Sequence, residues 1–175
     1  MPAEVLHLAS ETDAPAVAAR AAEALRAGRL VVFPTETVYG IAAVASDADA
    51  LERLRVLKDR PDRPFSVHIG EVSQAAKYVA EPPPRARWLM RNAWPGPVTL
   101  LLPTGGRLAD DGLDAAGMHA VLTHEGFIGL RCPEPAVTRE MLRAVDAPVV
   151  APSANKAGAP SPRSGAEARE AVGEE

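Results

Sequence analysis

The apolar positions of this chain fall into short blocks whose period changes along its length. From Thr12 to Arg29, TDAPAVAARAAEALRAGR is rich in helix formers, carries an acid near its start and meets Gly28 where a helix would stop, so it predicts a first helix. LVVFP follows as a short apolar run without helical spacing and predicts a buried strand. SDADALERLRVLKDRP returns to a helical pattern, with Ser46 as the expected N-cap, Asp49 in the first turn and Pro61 forcing an end. Beyond it FSVHI predicts a strand, PRARWLMRNA a helix, VTLLL and FIGLR strands, AVTREMLRAV a helix and PVVAP a strand. Strands alternating with helices predict an α/β layered domain. The stretches EPPPR and PTGGRLADDGLDAAG interrupt regular winding, so the sheet is expected to be mixed. There is no internal repeat, and the closing SGAEAREAVGEE reads either as a helix start or as a frayed tail.

Composition narrows the class. The 175 residues, 47% hydrophobic and 24% charged, suit one soluble domain with a real core, residues 1–175 forming a single unit. A net charge of -4 excludes a surface that as a whole attracts nucleic acid or anionic membrane, though a local basic patch is compatible with it. The opening MPAEVLHLAS has no basic region leading into an apolar one, and no run nears the ~18 apolar residues of a membrane span, so a cytoplasmic location without membrane contact is expected. One cysteine, Cys132, excludes an internal disulfide, and scattered histidines give no zinc spacing, so no protein-held metal is expected. Cys132 itself is most simply a small packing residue.

The stretch VVFPTETVYG begins as a strand and then stops reading as one: Pro34, two threonines around a glutamate, a tyrosine and a glycine follow the apolar run. Three further loops, KDRPDRP, GLRCPEP and APSANKAGAPSP, also flank expected strands and combine small, hydroxyl and cationic residues. Loops at one edge of an α/β sheet converge on a common crevice, which is what a binding site needs.

Lys58 and Arg60 stand two apart, and Pro61 disfavours a helical Arg60, so on an extended segment both cations share one side. Between Arg53 and Arg63 positive residues exceed negative ones by three, which points to an anionic ligand such as a phosphate chain. On charge alone a solvated helix end is the simpler reading. SANKAGAPSP offers Ser153, Asn155 and Ser161 to phosphate or ribose, or is a turn-rich linker. Neither a P-loop nor a Rossmann fingerprint occurs. His68 and Arg131 each close a strand beside these loops; a backbone-bonded histidine and a surface ion pair are the plain alternatives.

Taken in order, FPTETVYGIAA, LKDRP with PFSVHI, WPGPVTLLL, IGLRCPEP and PVVAPSANKAGAPSP resemble the L-threonylcarbamoyladenylate synthase family, the YrdC-like domain, from about Leu30 to Pro162. The resemblance implies a twisted mixed α/β sheet flanked by helices around a large, positively charged cavity. It implies synthesis of threonylcarbamoyl-AMP from L-threonine, bicarbonate and ATP with release of pyrophosphate, the first step of the t6A modification of tRNA, with Mg²⁺ bridging phosphate oxygens. It places Thr37, His68, Arg131 and, through its backbone, Ala151 at the threonine, with Arg131 gripping the carboxylate by a two-pronged bond. It places Lys58, Arg60, Arg63, Ser153, Asn155 and Ser161 at ATP, with Lys58 and Arg60 as the catalytic cations and Asn155 possessing a loop-shaping role as its alternative. Downstream tRNA threonylcarbamoyl-transfer machinery is the implied consumer of the product, and a weak RNA contact stays open.

The chain departs from the family in three places. Arg63 stands where an asparagine is usual, Ala157 replaces the second serine of the Ser-Ala-Asn segment, and the sequence ends before a Ser-Thr-Val segment and a later arginine, which reads as a shortened C-terminal end. The alternatives to the synthase are therefore a nucleotide- or RNA-binding module without turnover, and a carbamoyl-transfer domain acting on another acceptor.

Overall fold

A computed structural model of the chain describes residues 3–59 and 63–173. The first helix, α1 (Ala14–Arg26), buries Ala14, Ala18, Ala21, Ala22 and Leu25 at helical spacing. These small side chains let it lie close against α6 (Ala136–Val145), whose Met141, Leu142 and Val145 complete the same apolar cluster. Gly28, at φ 73, ends the first helix as expected.

The chain then forms a hairpin that the sequence pattern only half reveals. Strand β1 (Val31–Phe33) pairs antiparallel with β2 (Gly40–Val44), Phe33 opposite Gly40. The expected burial of the first strand is corrected: it lies at the sheet edge, and Val32 is 38% exposed. The second strand, GIAAV, has no alternation to read because both its faces are covered. Ile41 and Ala43 face one core cluster, Ala42 and Val44 the other.

Helix α2 (Ala48–Leu57) is capped by Asp47 rather than Ser46: Asp47 is extended and its carboxylate accepts from the Ala50 N–H at 2.9 Å. It ends at Leu57, ahead of Pro61, with Lys58 as C-cap and Asp59 left-handed at φ 46. Strands β3 (Val67–His68) and β4 (Leu100–Pro103) flank α3 (Pro84–Ala93) in the chain. The fourth strand starts two residues later than VTLLL suggests, the Val98 carbonyl being taken by Trp94 Nε1 at 2.6 Å. The glycine-rich segment holds one short helix, α4 (Asp111–Ala115), and is followed by a second, α5 (Met118–Leu122), and by β5 (Thr123–His124), none of which the pattern shows. FIGLR is β6 (Phe127–Arg131), and PVVAP contains β7 (Val149–Val150). The closing segment is a helix, α7 (Gly165–Val172), capped by Ser164 and anchored by buried Ala168 and Val172.

Among the described residues the strands form one sheet in the order β1-β2-β7-β3-β6-β4, with β5 beside β6. It is mixed, as expected: β3 runs parallel to β6, while the β7 and β4 pairings are antiparallel. This topology brings the ends of β1, β3, β6 and β7 together, so three of the loops singled out by composition, PTETVYG, GLRCPEP and APSANKAGAPSP, meet, and Lys58 at the start of the fourth reaches the last of them.

Candidate active site

The turn after β1 is a hydrogen-bonded unit. Thr35 Oγ1 donates to the Val38 carbonyl at 2.6 Å and accepts from the Thr37 and Val38 N–H groups, both at 3.2 Å. Its only hydrogen is thereby used, so the 2.9 Å contact between the two hydroxyls has Thr37 as donor. Thr37 Oγ1 in turn accepts from Arg131 Nη2 at 2.9 Å. A directed chain of donors runs from Arg131 through Thr37 and Thr35 into the backbone, and Thr37 offers a ligand only an acceptor. Thr138, 1% exposed on α6, pins the turn by donating to the Pro34 carbonyl at 2.7 Å.

Glu36, between the two threonines, is the residue bonded to Arg131 that composition did not single out. Its Oε1 accepts from Arg131 Nη2 at 2.5 Å and its Oε2 from the Glu134 N–H at 2.9 Å. Burial pushes its carboxyl up, but the Glu134 and Glu36 N–H groups and the Arg131 guanidinium outweigh that and hold it below its ordinary value. The signal was present as a lone acid in a hydroxyl-rich turn after a strand.

His68 is 7% exposed, and Phe33 meets its ring edge-on at 5.9 Å between centroids. Burial, then the charge of Arg131, lowers its pKa to about 4 from 6.5, against the opposing pull of the Ser66 carbonyl and Glu36. The imidazole is neutral at neutral pH. Nδ1 lies 3.4 Å from the Ser66 carbonyl, an acceptor, so Nδ1 carries the hydrogen and Nε2 keeps its lone pair.

The Ser-Ala-Asn loop is zipped to the hairpin: Ile41 N–H donates to the Pro152 carbonyl, Ala154 N–H to the Tyr39 carbonyl, and Tyr39 N–H to the Pro162 carbonyl. Inside it Asn155, 7% exposed, is the hub. Nδ2 donates to the Lys156 and Ala159 carbonyls at 2.9 and 2.7 Å, while Oδ1 accepts from Ser153 Oγ at 2.5 Å and Ser161 Oγ at 3.4 Å. This is the loop-shaping alternative for Asn155. Lys58 reaches the same loop from the end of α2, donating to the Ser153 carbonyl at 3.0 Å and to Asn155. Arg60 lies outside the described residues, and Arg63 is exposed.

Thr35, Ser66, His68, Thr99, Arg131 and Ser153 line a hollow of about 90 Å³, with Ala151 in its wall, its N–H bonded to the Ser66 carbonyl at 3.1 Å. A larger hollow of about 280 Å³, with Lys77, Tyr78, Asp110 and Asp146, lies on the other side of His68. The smaller is the candidate site, because there the PTETVYG, GLRCPEP and APSANKAGAPSP loops, with Ser66, His68 and Thr99, bring donors, acceptors and a guanidinium together. Among the described residues Arg131 is the one cation lining this hollow and Glu36 pairs with it, so the expected large basic cavity is not seen there. Nor do the described residues offer a cage for Mg²⁺, since no group of three histidines, cysteines or carboxylates that could hold a metal occurs among them. Cys132 is buried and burial pushes its thiol up, which fits packing.

The Sua5/YciO/YrdC family model, described as telomere recombination, matches residues 23–175. The threonylcarbamoyl-AMP synthase of Bacillus subtilis (strain 168) is 38% identical over 155 residues, covering 86% of this chain and 41% of the relative. That of Chromohalobacter salexigens is 34% identical over 157 residues, covering 89% of this chain and 80% of the relative. The chain thus spans about two fifths of the length of the first and four fifths of the second. Among solved structures, Pyrococcus abyssi Sua5 complexed with L-threonine superposes with a TM-score of 0.74 at 34% identity, over 88% of this chain and 43% of that one.

Proposed function

The chain belongs to the Sua5/YciO/YrdC family, and on that premise we propose that it makes threonylcarbamoyl-AMP from L-threonine, bicarbonate and ATP. The observation that carries the reading is the meeting of His68 and Arg131 at one hollow, with Thr37 bonded to Arg131 beside it, from parts of the chain far apart in sequence. L-Threonine brings a carboxylate, an amine and a hydroxyl. Arg131 supplies the cation for the first; Thr37 Oγ1 and His68 Nε2 supply acceptors for the donors of the other two. Ala151 stands in the same wall.

Bicarbonate takes up a proton and loses water to give carbon dioxide, and the threonine amine, neutral when it reacts, attacks its carbon and gives up a proton, leaving a carbamate. A carbamate oxygen then attacks the α-phosphorus of ATP, and the bond to the β-phosphate oxygen breaks to release pyrophosphate. No covalent nucleophile is needed; alignment and positive charge are. Arg60 and Arg63 are the cations assigned to the nucleotide, and Lys58 acts through the Ser-Ala-Asn loop that it holds, placing its charge behind the bound phosphates. As they stand, Ser153 and Ser161 donate to Asn155 and present lone pairs, which suit ribose hydroxyls; to meet a phosphate they must turn. Mg²⁺ enters with the nucleotide as part of the substrate.

The product is a mixed anhydride whose threonylcarbamoyl group is passed to tRNA by a transferase, so that machinery is the expected partner. Isotope incorporation tests the reading: labelled bicarbonate should enter an adenylate product only when L-threonine and ATP are both present. Label that enters without L-threonine would point instead to carbamoyl transfer to another acceptor.

A further inference from the structure

A guanidinium can grip a carboxylate with two prongs along two edges: Nε with Nη2, or Nη1 with Nη2. Both edges need Nη2. In Arg131 the two Nη2 hydrogens are spent, one on Glu36 Oε1 at 2.5 Å and one on Thr37 Oγ1 at 2.9 Å. The Nε hydrogen is buried and has no acceptor among the described residues. The expected two-pronged grip on a substrate is therefore closed while the Glu36–Arg131 pair is intact.

A buried N–H without an acceptor is costly to leave unmade, so Arg131 Nε marks a position that a ligand oxygen completes. We propose that Glu36 is the resident occupant of the Arg131 guanidinium, and that a ligand carboxylate gains its two-pronged grip along Nε and Nη2 only by displacing Glu36 from Nη2. Glu36 is the group that gives way because it carries the same charge as the ligand and competes for the same cation, whereas the Thr37 hydroxyl is neutral. On release it keeps the Glu134 N–H bond to Oε2, so it moves aside without losing its anchor.

The consequence is selectivity. A ligand must outcompete a carboxylate tethered beside its target, and the pair, with side chains 14% and 13% exposed, is little weakened by water. Simple anions have nothing else to offer and are excluded; a ligand that also reaches Thr37 and His68 recovers the difference. Glu36 thus trades affinity for discrimination. This rests on the reading of Arg131 as the carboxylate anchor for L-threonine.

The test follows the Arg131 ¹⁵Nε–¹Hε NMR signal, assigned by its loss in Arg131→Lys, as acetate or L-threonine is added to the unaltered chain, to Glu36→Gln and to Glu36→Ala. Removing the competing charge is expected to tighten acetate about tenfold, and L-threonine by less, so that the preference for L-threonine shrinks. In the unaltered chain, saturating L-threonine is expected to shift the Glu36 ¹³Cδ signal together with the Arg131 one. Acetate binding that stays equal or weakens in both variants overturns the proposal, as does an Arg131 shift that leaves Glu36 ¹³Cδ unmoved. Acetate that tightens while L-threonine perturbs no form of the protein supports the occupant and instead refutes the threonine reading. The ¹³C readout on the unaltered chain decides the matter even if the variants fold poorly.

Discussion

Lys58 and Asn155, 97 positions apart, are joined twice: Nζ donates to the Asn155 carbonyl at 2.6 Å and to its Oδ1 at 3.1 Å. With the third bond to the Ser153 carbonyl, this ties the end of α2 to the Ser-Ala-Asn loop. Lys58→Met should therefore cost about 1.5–3 kcal/mol in urea unfolding, the usual range for hydrogen bonds to a charged group. It should also raise hydrogen exchange in residues 153–161 and weaken ATP more than L-threonine. Weakened ATP binding with unchanged exchange in that loop would show that Lys58 meets the nucleotide directly.

The buried His68 makes stability depend on pH. Its folded pKa, about 4, lies below the unfolded 6.5, so between those values the unfolded chain binds the extra proton. Stability is complete above about pH 6.5 and falls as the pH drops toward 4, by up to roughly 3 kcal/mol from this group. Denaturant midpoints across pH 4–7 should show the loss in the unaltered chain and a smaller one in His68→Gln. Equal slopes would mean that other groups carry the dependence.

Gly40 faces the Phe33 ring closely, a Cβ there coming within 2.8 Å of Phe33 Cζ. Phe33 is 3% exposed and rests on His68, so it has little room to yield. Gly40→Ala is expected to destabilise by about 1–3 kcal/mol through overpacking and to disturb the histidine. Thermal unfolding and the His68 ring NMR shifts check both; an unchanged melting temperature with unmoved ring signals would contradict the packing described.

Because Thr37 spends its hydrogen on Thr35, it can reward only a ligand that donates. L-Serine keeps the hydroxyl and lacks one methyl, a difference worth ~1–3 kcal/mol, whereas L-valine keeps the bulk and loses the donor. Calorimetry should rank L-threonine, then L-serine, then L-valine, with Thr37→Val narrowing the gap between the first and last. L-Valine binding as tightly as L-threonine would contradict the role of Thr37.

Where one physical signal dominated, the sequence was legible. FIGLR and AVTREMLRAV give the bounds of β6 and α6, because alternation and helical spacing there coincide with a single covered face. GIAAV was silent because two covered faces erase alternation, and Ser46 was preferred over Asp47 because both residue types cap helices. In the site, the convergence of three of the four loops followed from composition and strand ends, while most of KDRPDRP stands away from the hollow or outside the described residues. The use of Glu36 did not, because its partner, Arg131, lies 95 positions away and the sheet pairings of β6, among them His68 opposite Arg131, fix where that arginine stands. The loop-directed bonds of Lys58 were hidden in the same way, and the extended segment expected there is not what the chain adopts, since Lys58 is helical and Asp59 left-handed.

Pyrophosphate release tests the central claim most directly. Incubated with ATP and Mg²⁺, the chain is expected to release pyrophosphate only when L-threonine and bicarbonate are both supplied, and to lose this in Arg131→Ala. Release that is indifferent to L-threonine, or that survives the loss of Arg131, would contradict the assignment of this hollow as the site of threonylcarbamoyl-AMP synthesis.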